Sequence, residues 1–198
     1  MHLDHAEDVA LVRDAVALGV PSVMFDGSAL DYDENVATTR TVVEHCHANG
    51  VRVEAELGEV GGKDGVHAPG VRTRPDEAAA FVSATGVDSL AVAVGTSHAM
   101  TSRVATVDRE LIGRLAEAVG RPLVLHGSSG LSDDELTGAV RAGMTKINIS
   151  THINGLFTAA ARTVLDADPA LVDPRRYVAP ARDAVAAEVT RLLRLLAL

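Results

Sequence analysis

Hydrophobic residues in this chain fall into short apolar runs that alternate with longer segments of helical periodicity. Five runs predict complete β-strands, and the first few residues predict only the end of another strand. These stretches are Met1–Leu3 (the partial strand), Pro21–Phe25, Val51–Leu57, Asp88–Val94, Pro122–Leu125 and Gly143–Ile149. The helices predicted between and after them are Ala6–Gly19, Asn35–Ala48, Pro75–Ala84, Asp108–Val119, Ser132–Ala142, Thr151–Leu165 and Ala181–Leu196.

Strand and helix alternate through the whole chain, which predicts one α/β domain over residues 1–198 built from parallel βα units. Six strands are two fewer than an eight-stranded barrel needs. Two connections are longer than the rest. Gly58–Arg74 is glycine-rich and long enough to be a functional lid, and Asp168–Pro180 is expected to be a proline-bearing linker ahead of the last helix.

Composition narrows the classes of partner. The formal net charge of -9 disfavours binding to nucleic acid and to membrane surfaces, because both are anionic. The lone Cys46 cannot form an internal disulfide, which favours a reducing cytoplasm. No run approaches the roughly 20 apolar residues of a membrane span, and charged residues near Met1 argue against a signal peptide. An anionic substrate would therefore have to be held locally, by backbone amides or by a metal.

The stretch Leu123–Leu131 carries the strongest chemical signal. An apolar strand ends in His126, and Gly127-Ser128-Ser129-Gly130 then leads to a helix that begins near Ser132. A small-residue loop at a helix N-terminus offers backbone N–H groups and a positive dipole end to an anion. One segment therefore combines a metal-type ligand with a phosphate cradle.

Two other segments repeat part of this pattern. The strand Ala91–Val94 leads through a small-residue loop to His98, and Asp4-His5 follows the partial first strand. The carboxyl ends of parallel strands meet at one rim, where α/β barrels place their chemistry. The three histidines His5, His98 and His126 thus predict one three-histidine metal centre.

These residues resemble the class II, metal-dependent fructose-bisphosphate and tagatose-bisphosphate aldolases, and the resemblance runs essentially end to end. The matching segments, in chain order, are His2–His5, Ser22–Ser28, Val53–Gly58, Gly61–Gly62, Asp88–His98, Leu125–Leu131 and Lys146–Thr151. The resemblance implies a (β/α)8 TIM barrel, here incomplete, with about six of eight βα units and the first two missing. It also implies Zn²⁺ and a monovalent cation as bound ions, and a homo-oligomer, either dimer or tetramer.

The resemblance further implies a role for each matching position. His5, His98 and His126 would ligate zinc, and Asp4 would be the general acid/base for the C4 hydroxyl proton. Asp26 and Glu56 would lie near a second, inward metal position. The cradle for the dihydroxyacetone phosphate end would comprise Ala99, Gly127, Ser128, Ser129, Asn148, Ile149, Ser150 and Thr151.

Elementary chemistry agrees with these roles. Cleaving the C3–C4 bond of a ketose bisphosphate leaves negative charge on the dihydroxyacetone phosphate fragment, so the reaction needs an electron sink, which a three-imidazole zinc supplies. The class I alternative needs a Schiff-base lysine. Only Lys63, in the lid, and Lys146, toward the strand end away from the rim, are available, and neither is well placed.

Three departures from the family pattern are visible. The family has two βα units ahead of the Asp-His strand, so we expect a truncated gene product or a misassigned start that folds poorly or only as an oligomer. Ala99 stands where the family usually has glycine, and it is strained if that position needs a positive φ. The lid has Asp64 where relatives place a proton-transferring glutamate.

The sequence therefore predicts a metal-dependent ketose-bisphosphate aldolase that forms dihydroxyacetone phosphate and glyceraldehyde 3-phosphate reversibly from fructose or tagatose 1,6-bisphosphate. Two alternatives remain open. One is a related zinc lyase that acts on another aldehyde, and the other is an inactive remnant that binds zinc or a sugar phosphate without turnover.

Overall fold

The computed structural model describes residues 1–58 and 72–197, and in this part of the chain strands and helices alternate. The strands are β1 (Leu3–Ala6), β2 (Ser22–Phe25), β3 (Arg52–Leu57), β4 (Ser89–Val92), β5 (Leu123–Leu125) and β6 (Met144–Ile147). The helices are α1 (Val9–Ala17), α2 (Tyr32–Ala48), α3 (Pro75–Thr85), α4 (Arg109–Val119), α5 (Asp133–Ala142), α6 (Thr151–Ala167) and α7 (Arg175–Leu196). A short 3₁₀ turn, Ser128–Gly130, lies between β5 and α5. Among these helices, none is both long and apolar enough to cross a membrane.

The six strands form one parallel sheet in sequential order, β1-β2-β3-β4-β5-β6. In a flat sheet of this size the outer strands would lie roughly 24 Å apart, at about 4.8 Å per strand. Yet Lys146 Nζ of β6 is 3.3 Å from His2 Nε2, which directly precedes β1, and Asn148 approaches Asp4 at 3.5 Å. The sheet is therefore curled into most of a barrel, which confirms the predicted incomplete (β/α)8 architecture.

The main hydrophobic core lies between the outer face of the sheet and the helices. Outward-facing strand residues such as Val53, Ala55 and Leu90 pack there with Phe81 and Leu115 from the helices. The inner face of the sheet holds a much smaller apolar cluster of Met24, Ala91 and Val124. Most of the apolar burial thus stabilises the outer layer and leaves the inner face for polar side chains.

Strand β3 shows how the sequence places polar groups inside. Its alternation of apolar and acidic residues puts Glu54 and Glu56 on the inner face, where they are 3% and 0% exposed. Buried carboxylates are costly without a partner. The inner face is consequently a site of polar interactions rather than a second hydrophobic core.

Several element boundaries differ from the sequence expectation, and two of these differences affect the site and the last helix. Strand β1 continues to Ala6 rather than ending at Leu3, so Asp4 and His5 lie on the strand itself. Helix α7 begins at Arg175 instead of Ala181. The segment between α6 and α7 is therefore only residues 168–174, shorter than the expected linker Asp168–Pro180. The Asp173 carboxylate accepts a bond from the backbone N–H of Arg175 at 3.0 Å, which starts the helix early and leaves Pro180 inside it.

Helix α7 is tied to the rest of the barrel by a network of charged side chains. Glu188 accepts hydrogen bonds from Arg191 and contacts His152 Nε2 of α6 at 2.9 Å. Arg191 also binds Asp133 at the start of α5, and Arg103 binds the same carboxylate at 2.7 Å. The network joins the last helix to the first turns of two helices at the carboxyl rim of the sheet.

This network predicts a pH dependence of stability. The hydrogen bonds from Arg191 outweigh desolvation and, with His152, lower the pKa of Glu188 from 4.5 to about 2. A lowered carboxyl pKa stabilises the fold above pH 4.5, and this contribution is lost as the pH falls toward 2. Glu188→Gln should therefore reduce the free energy of unfolding at pH 7 by about 1 kcal/mol or less, since the pair is partly solvated. Urea unfolding at several pH values should show the difference shrinking between pH 4.5 and 2.

Glu110→Gln is the matched control, because Glu110 is 85% exposed and its nearest charged partner, Arg114, is 3.7 Å away. We expect it to change the unfolding free energy by less than about 0.5 kcal/mol at every pH. A Glu188→Gln effect that stays constant down to pH 2.5 would contradict the assignment of the pKa shift to the folded network.

Candidate active site

Three histidines from separate strands converge at the carboxyl rim of the sheet. His5 lies on β1, His98 follows β4, and His126 follows β5. Each offers one ring nitrogen to a cluster in which all three nitrogens lie within 4.8 Å of one another. His5 Nε2 and His126 Nδ1 are 2.9 Å apart, and the ring centroids are separated by 4.6 to 5.7 Å. Three imidazole nitrogens at such separations can hold one metal ion.

Buried carboxylates fix which nitrogens of His5 and His126 face the cluster. Asp26 Oδ2 lies 2.6 Å from His5 Nδ1, and Glu54 Oε1 lies 3.1 Å from His126 Nε2. Each carboxylate accepts the outward N–H, so the other ring nitrogen carries the lone pair toward the cluster. Both rings are thereby set in the tautomer that a metal ligand requires.

The pKa shifts agree with this tautomer. Burial lowers the pKa of His126, which is 1% exposed, so the ring is neutral at pH 7 and able to ligate a metal. Burial by itself would raise the pKa of Glu54, but hydrogen bonds from His126 and Lys146 outweigh it and hold that pKa below its ordinary value. Glu54 is thus the ionised acceptor of the pair.

An irregularity in β1 places Asp4 and His5 on the same side of the strand. Adjacent residues of a regular strand point to opposite faces, yet both residues line one cavity. The register shifts between Leu3 and Ala6, since Leu3 pairs with Val23 and Ala6 with Phe25, which leaves one extra residue in β1. His5 has a φ of 50°, the left-handed conformation of a bulge. The bulge is what brings both side chains inward.

Asp4 sits beside the histidine cluster and is 46% exposed. Burial raises its pKa, but the hydrogen bond with His2 and the nearby His5, His126 and Lys146 side chains lower it to about 2. Asp4 is therefore a carboxylate at neutral pH. A carboxylate at the edge of a cavity is able to accept a proton from a bound hydroxyl group.

A cavity of about 300 Å³ opens directly above the histidines. Its lining comprises Asp4, His5, His98, Ala99, His126, Gly127, Ser129, Asn148, Ser150 and Thr151. The N-terminus of α6, at Ser150 and Thr151, contributes the positive end of a helix dipole. The cavity thus combines a possible metal centre, a carboxylate and an anion-binding helix end.

Glycine is required at position 127 of this cavity. Its φ is 69°, and a Cβ there would lie 2.6 Å from the backbone oxygen of Ser97. The two rim loops are also joined by Thr96, whose hydroxyl donates to the His126 carbonyl at 2.7 Å. This close packing holds the loops that carry His98 and His126 side by side.

Four of the sequence-predicted site residues lie outside the cavity lining. Ser128 is buried and its hydroxyl donates to the Leu125 carbonyl, and Ile149 packs against the hydrophobic core. Asp26 and Glu56 are buried behind His5, with which they form a second group of possible ligands within 4.8 Å. The predicted lid residues, including Lys63 and Asp64, fall outside the described residues.

The sequence reasoning missed three residues that contact the site from the inner face of the barrel. Glu54 holds His126, while Lys146 and His2 contact Glu54 and Asp4, respectively. The alternation of apolar and acidic residues in β3 already indicated that Glu54 and Glu56 share one face of the strand. The contacts of Lys146 and His2 carry no sequence signal, because they join the two ends of the curled sheet.

Comparison with known proteins decides the family. The family model described as fructose-bisphosphate aldolase class-II matches residues 1–197. The chain belongs to the class-II fructose-bisphosphate aldolase family. As a member of that family it is an aldolase, a carbon–carbon lyase.

Solved structures of other aldolases are similar to it. The YdjI aldolase of Escherichia coli K12 shares 35% sequence identity and superposes with a TM-score of 0.84, covering 99% of this chain and 68% of that one. A putative fructose-1,6-bisphosphate aldolase of Coccidioides immitis is 32% identical, with a TM-score of 0.86 and coverage of 98% and 70%. The fructose-bisphosphate aldolase of Campylobacter jejuni, at 22% identity, shares the fold with a TM-score of 0.79 over 98% and 69%.

Backbone strain in this aldolase is concentrated at its site. Within the described residues, His5 and Ala99 are the two non-glycine positions with a positive φ. Ala99 has a φ of 57°, so the position does need a positive φ and the alanine there is strained. Such left-handed residues cost about 1–2 kcal/mol each, and strain of this kind commonly clusters at functional sites.

The strain at Ala99 predicts a stabilising substitution. Ala99→Gly should raise the free energy of unfolding by up to about 1 kcal/mol, because relief of the left-handed strain exceeds the added entropy of the unfolded chain. Ala118→Gly, on the exposed face of α4, should lower it by about 0.5–1 kcal/mol. Urea unfolding measures both, and equal losses of stability in the two variants would contradict the strain at position 99.

Proposed function

We propose that this class-II aldolase is a metal-dependent ketose-bisphosphate aldolase, which cleaves fructose or tagatose 1,6-bisphosphate reversibly to dihydroxyacetone phosphate and glyceraldehyde 3-phosphate. The observation that carries the proposal is the convergence of His5, His98 and His126 beside Asp4 in one cavity. The buried partners of His5 and His126 leave the ligating nitrogens facing inward, so the residues fit a zinc ion.

The metal, when bound by the three histidines, would supply a Lewis acid for the negative charge that develops as the carbon–carbon bond breaks. The chain's own residues bind and orient the substrate. Gly127, Ser129 and the N-terminus of α6 line the side of the cavity that suits a phosphate group. The rigid loops around Gly127 fix that group relative to Asp4.

Asp4 accepts and returns the proton of the substrate's C4 hydroxyl group. In cleavage, its carboxylate accepts the proton of the C4 hydroxyl, the C4–O bond becomes a carbonyl, and the C3–C4 electron pair stays with the dihydroxyacetone phosphate fragment, whose C3 then takes up a proton from solvent. In condensation, Asp4 returns the proton to the new alkoxide. Asn148 Nδ2, 3.5 Å from Asp4 Oδ2, lies on the same wall and helps to orient the carboxylate.

The role of Asp4 predicts a loss of turnover without a loss of metal. Asp4→Asn should lower kcat for fructose 1,6-bisphosphate cleavage by about 10²–10⁴-fold, since acid–base catalysis is removed. The zinc content, measured by atomic emission, should stay at the wild-type value. Asp8→Asn is the matched control, because Asp8 caps α1 and asparagine caps helices equally well. Loss of zinc from Asp4→Asn would instead assign Asp4 a structural role at the metal.

The proposed role of His126 as a metal ligand predicts that its removal abolishes both zinc binding and activity. His126→Ala should remove bound zinc and cleavage activity together, because two imidazoles hold zinc far more weakly than three. His47→Ala changes a histidine that is 43% exposed on α2 and should leave both unchanged. If His126→Ala retained one zinc per chain after dialysis, His126 would not belong to the ligand set. A wild-type protein that binds zinc but cleaves neither bisphosphate would favour the inactive alternative.

A further inference from the structure

A chain of polar contacts extends from the proposed metal ligand His126 through the interior of the barrel. Glu54 Oε1 contacts His126 Nε2 at 3.1 Å, and Glu54 Oε2 accepts a hydrogen bond from Lys146 Nζ at 2.7 Å. Glu54 is 3% exposed. Both oxygens of one buried carboxylate are therefore engaged, one by the ligand and the other by a lysine.

Lys146 reaches this position because β6 contains an extra residue. Leu123 of β5 pairs with Met144, but the next residue, Val124, pairs with Lys146, so Thr145 is skipped. Val124 belongs to the inner cluster of the sheet. The irregularity thus aligns Lys146, rather than Thr145, with an inward-facing position, from which its side chain reaches Glu54.

We propose that Glu54 and Lys146 are a positioning pair for His126: Glu54 orients the imidazole, and Lys146 fixes Glu54 through its second oxygen. The inference rests on the proposed metal-dependent function. A carboxylate with two partners cannot rotate away from the ring, so the ligating nitrogen stays directed at the cluster. Carboxylate partners of ligating histidines typically contribute 10–100-fold to metal affinity.

The charge on Lys146 is what makes this arrangement possible inside the barrel. An ionised carboxylate without a counter-charge is costly to bury, and Asp26 and Glu56 are buried nearby. Lys146 is 38% exposed, and it lines a second cavity, of about 650 Å³, at the amino ends of the strands. Its ammonium group thus balances Glu54 while it keeps contact with solvent on the other side.

The position of Lys146 separates this role from that of a Schiff-base nucleophile. Lys146 does not line the 300 Å³ cavity above the histidines, and its ammonium group donates to Glu54. It also lies 3.3 Å from His2 Nε2, and the other nitrogen of His2 contacts the Ser22 hydroxyl at 2.9 Å. Lys146 is therefore held on the far side of Glu54 from that cavity, in contact with Glu54 of β3 and with His2, which precedes β1.

Metal affinity in a double-mutant cycle tests the pair. The variants are Glu54→Gln, Lys146→Met and the double variant, and Glu110→Gln is the control. Two properties are measured: the affinity for Zn²⁺, by competition with a chelator, and the visible absorption spectrum of the Co²⁺-loaded protein. Glu54→Gln should weaken metal binding about 10–100-fold and change the cobalt spectrum. Lys146→Met should weaken binding less, and Lys146→Arg should restore part of the loss. The double variant should bind as Glu54→Gln does, because Lys146 acts through Glu54.

Several outcomes would overturn the pair. An unchanged metal affinity and cobalt spectrum in Glu54→Gln would exclude Glu54 as a positioning residue for His126. Additive losses of metal affinity in the double variant would show that Lys146 acts independently of Glu54. Tighter binding in Lys146→Met would show that Lys146 acts as a charge that repels the metal. A borohydride-stable adduct of dihydroxyacetone phosphate at Lys146 would make it a nucleophile. These results concern a wild-type protein that binds metal, whereas a wild type that takes up neither Zn²⁺ nor Co²⁺ would overturn the proposed function itself.

Discussion

Hydrogen bonds between buried carboxylates and imidazoles are the interactions on which the site depends. Asp26 and Glu54 each occupy the outward nitrogen of a histidine, so the inward nitrogens of His5 and His126 meet at 2.9 Å. Without these acceptors, each ring could rotate or change tautomer, and a convergent cluster would become one conformation among several. Glu54 can be buried as a carboxylate because the sheet curls, which brings Lys146 of the last strand into hydrogen-bonding distance of it.

The two faces of the sheet have different roles, and because the outer face supplies the hydrophobic stabilisation, the interior of the barrel can be polar. The outer face buries large apolar side chains against the helices and supplies most of the hydrophobic stabilisation. The inner face retains only the small cluster of Met24, Ala91 and Val124. Stability and chemistry are thus assigned to opposite sides of the same strands, and each strand can carry a functional residue at its end without losing its place in the core.

Much of the fold was predictable from the sequence, because parallel βα units leave a clear alternation of apolar runs and helical segments. The six strands follow from that pattern, and the alternation in β3 places Glu54 and Glu56 on one face, whereas the incomplete barrel with its sequential strand order was implied by the resemblance to the class II aldolases. The early start of α7 was not predictable from Pro180, since the helix begins five residues before it, next to the hydrogen bond from the Arg175 N–H to Asp173. The extra residues in β1 and β6 were also missed, because a bulge depends on pairing with a neighbouring strand rather than on local composition.

The residues of the candidate site also divide into those that the sequence could predict and those that it could not. Histidines that follow strands are visible as a pattern, and parallel topology requires strand ends to meet at one rim. Residues that reach the site from the inner face, such as His2 and Lys146, depend on how far the sheet curls. Sequence reasoning considered Lys146 only as a nucleophile, and its bond to Glu54 emerges from the structure.

The bulge in β1 links two tasks that could otherwise vary separately. Asp4 and His5 share one backbone irregularity, so deletion of its extra residue would restore the regular alternation of the strand and turn one of the two side chains away from the cavity. The proposed proton acceptor and the neighbouring imidazole can therefore face the cavity together only while this irregularity is kept. A change of one residue in the length of β1 would consequently disturb the site, although β1 is only four residues long.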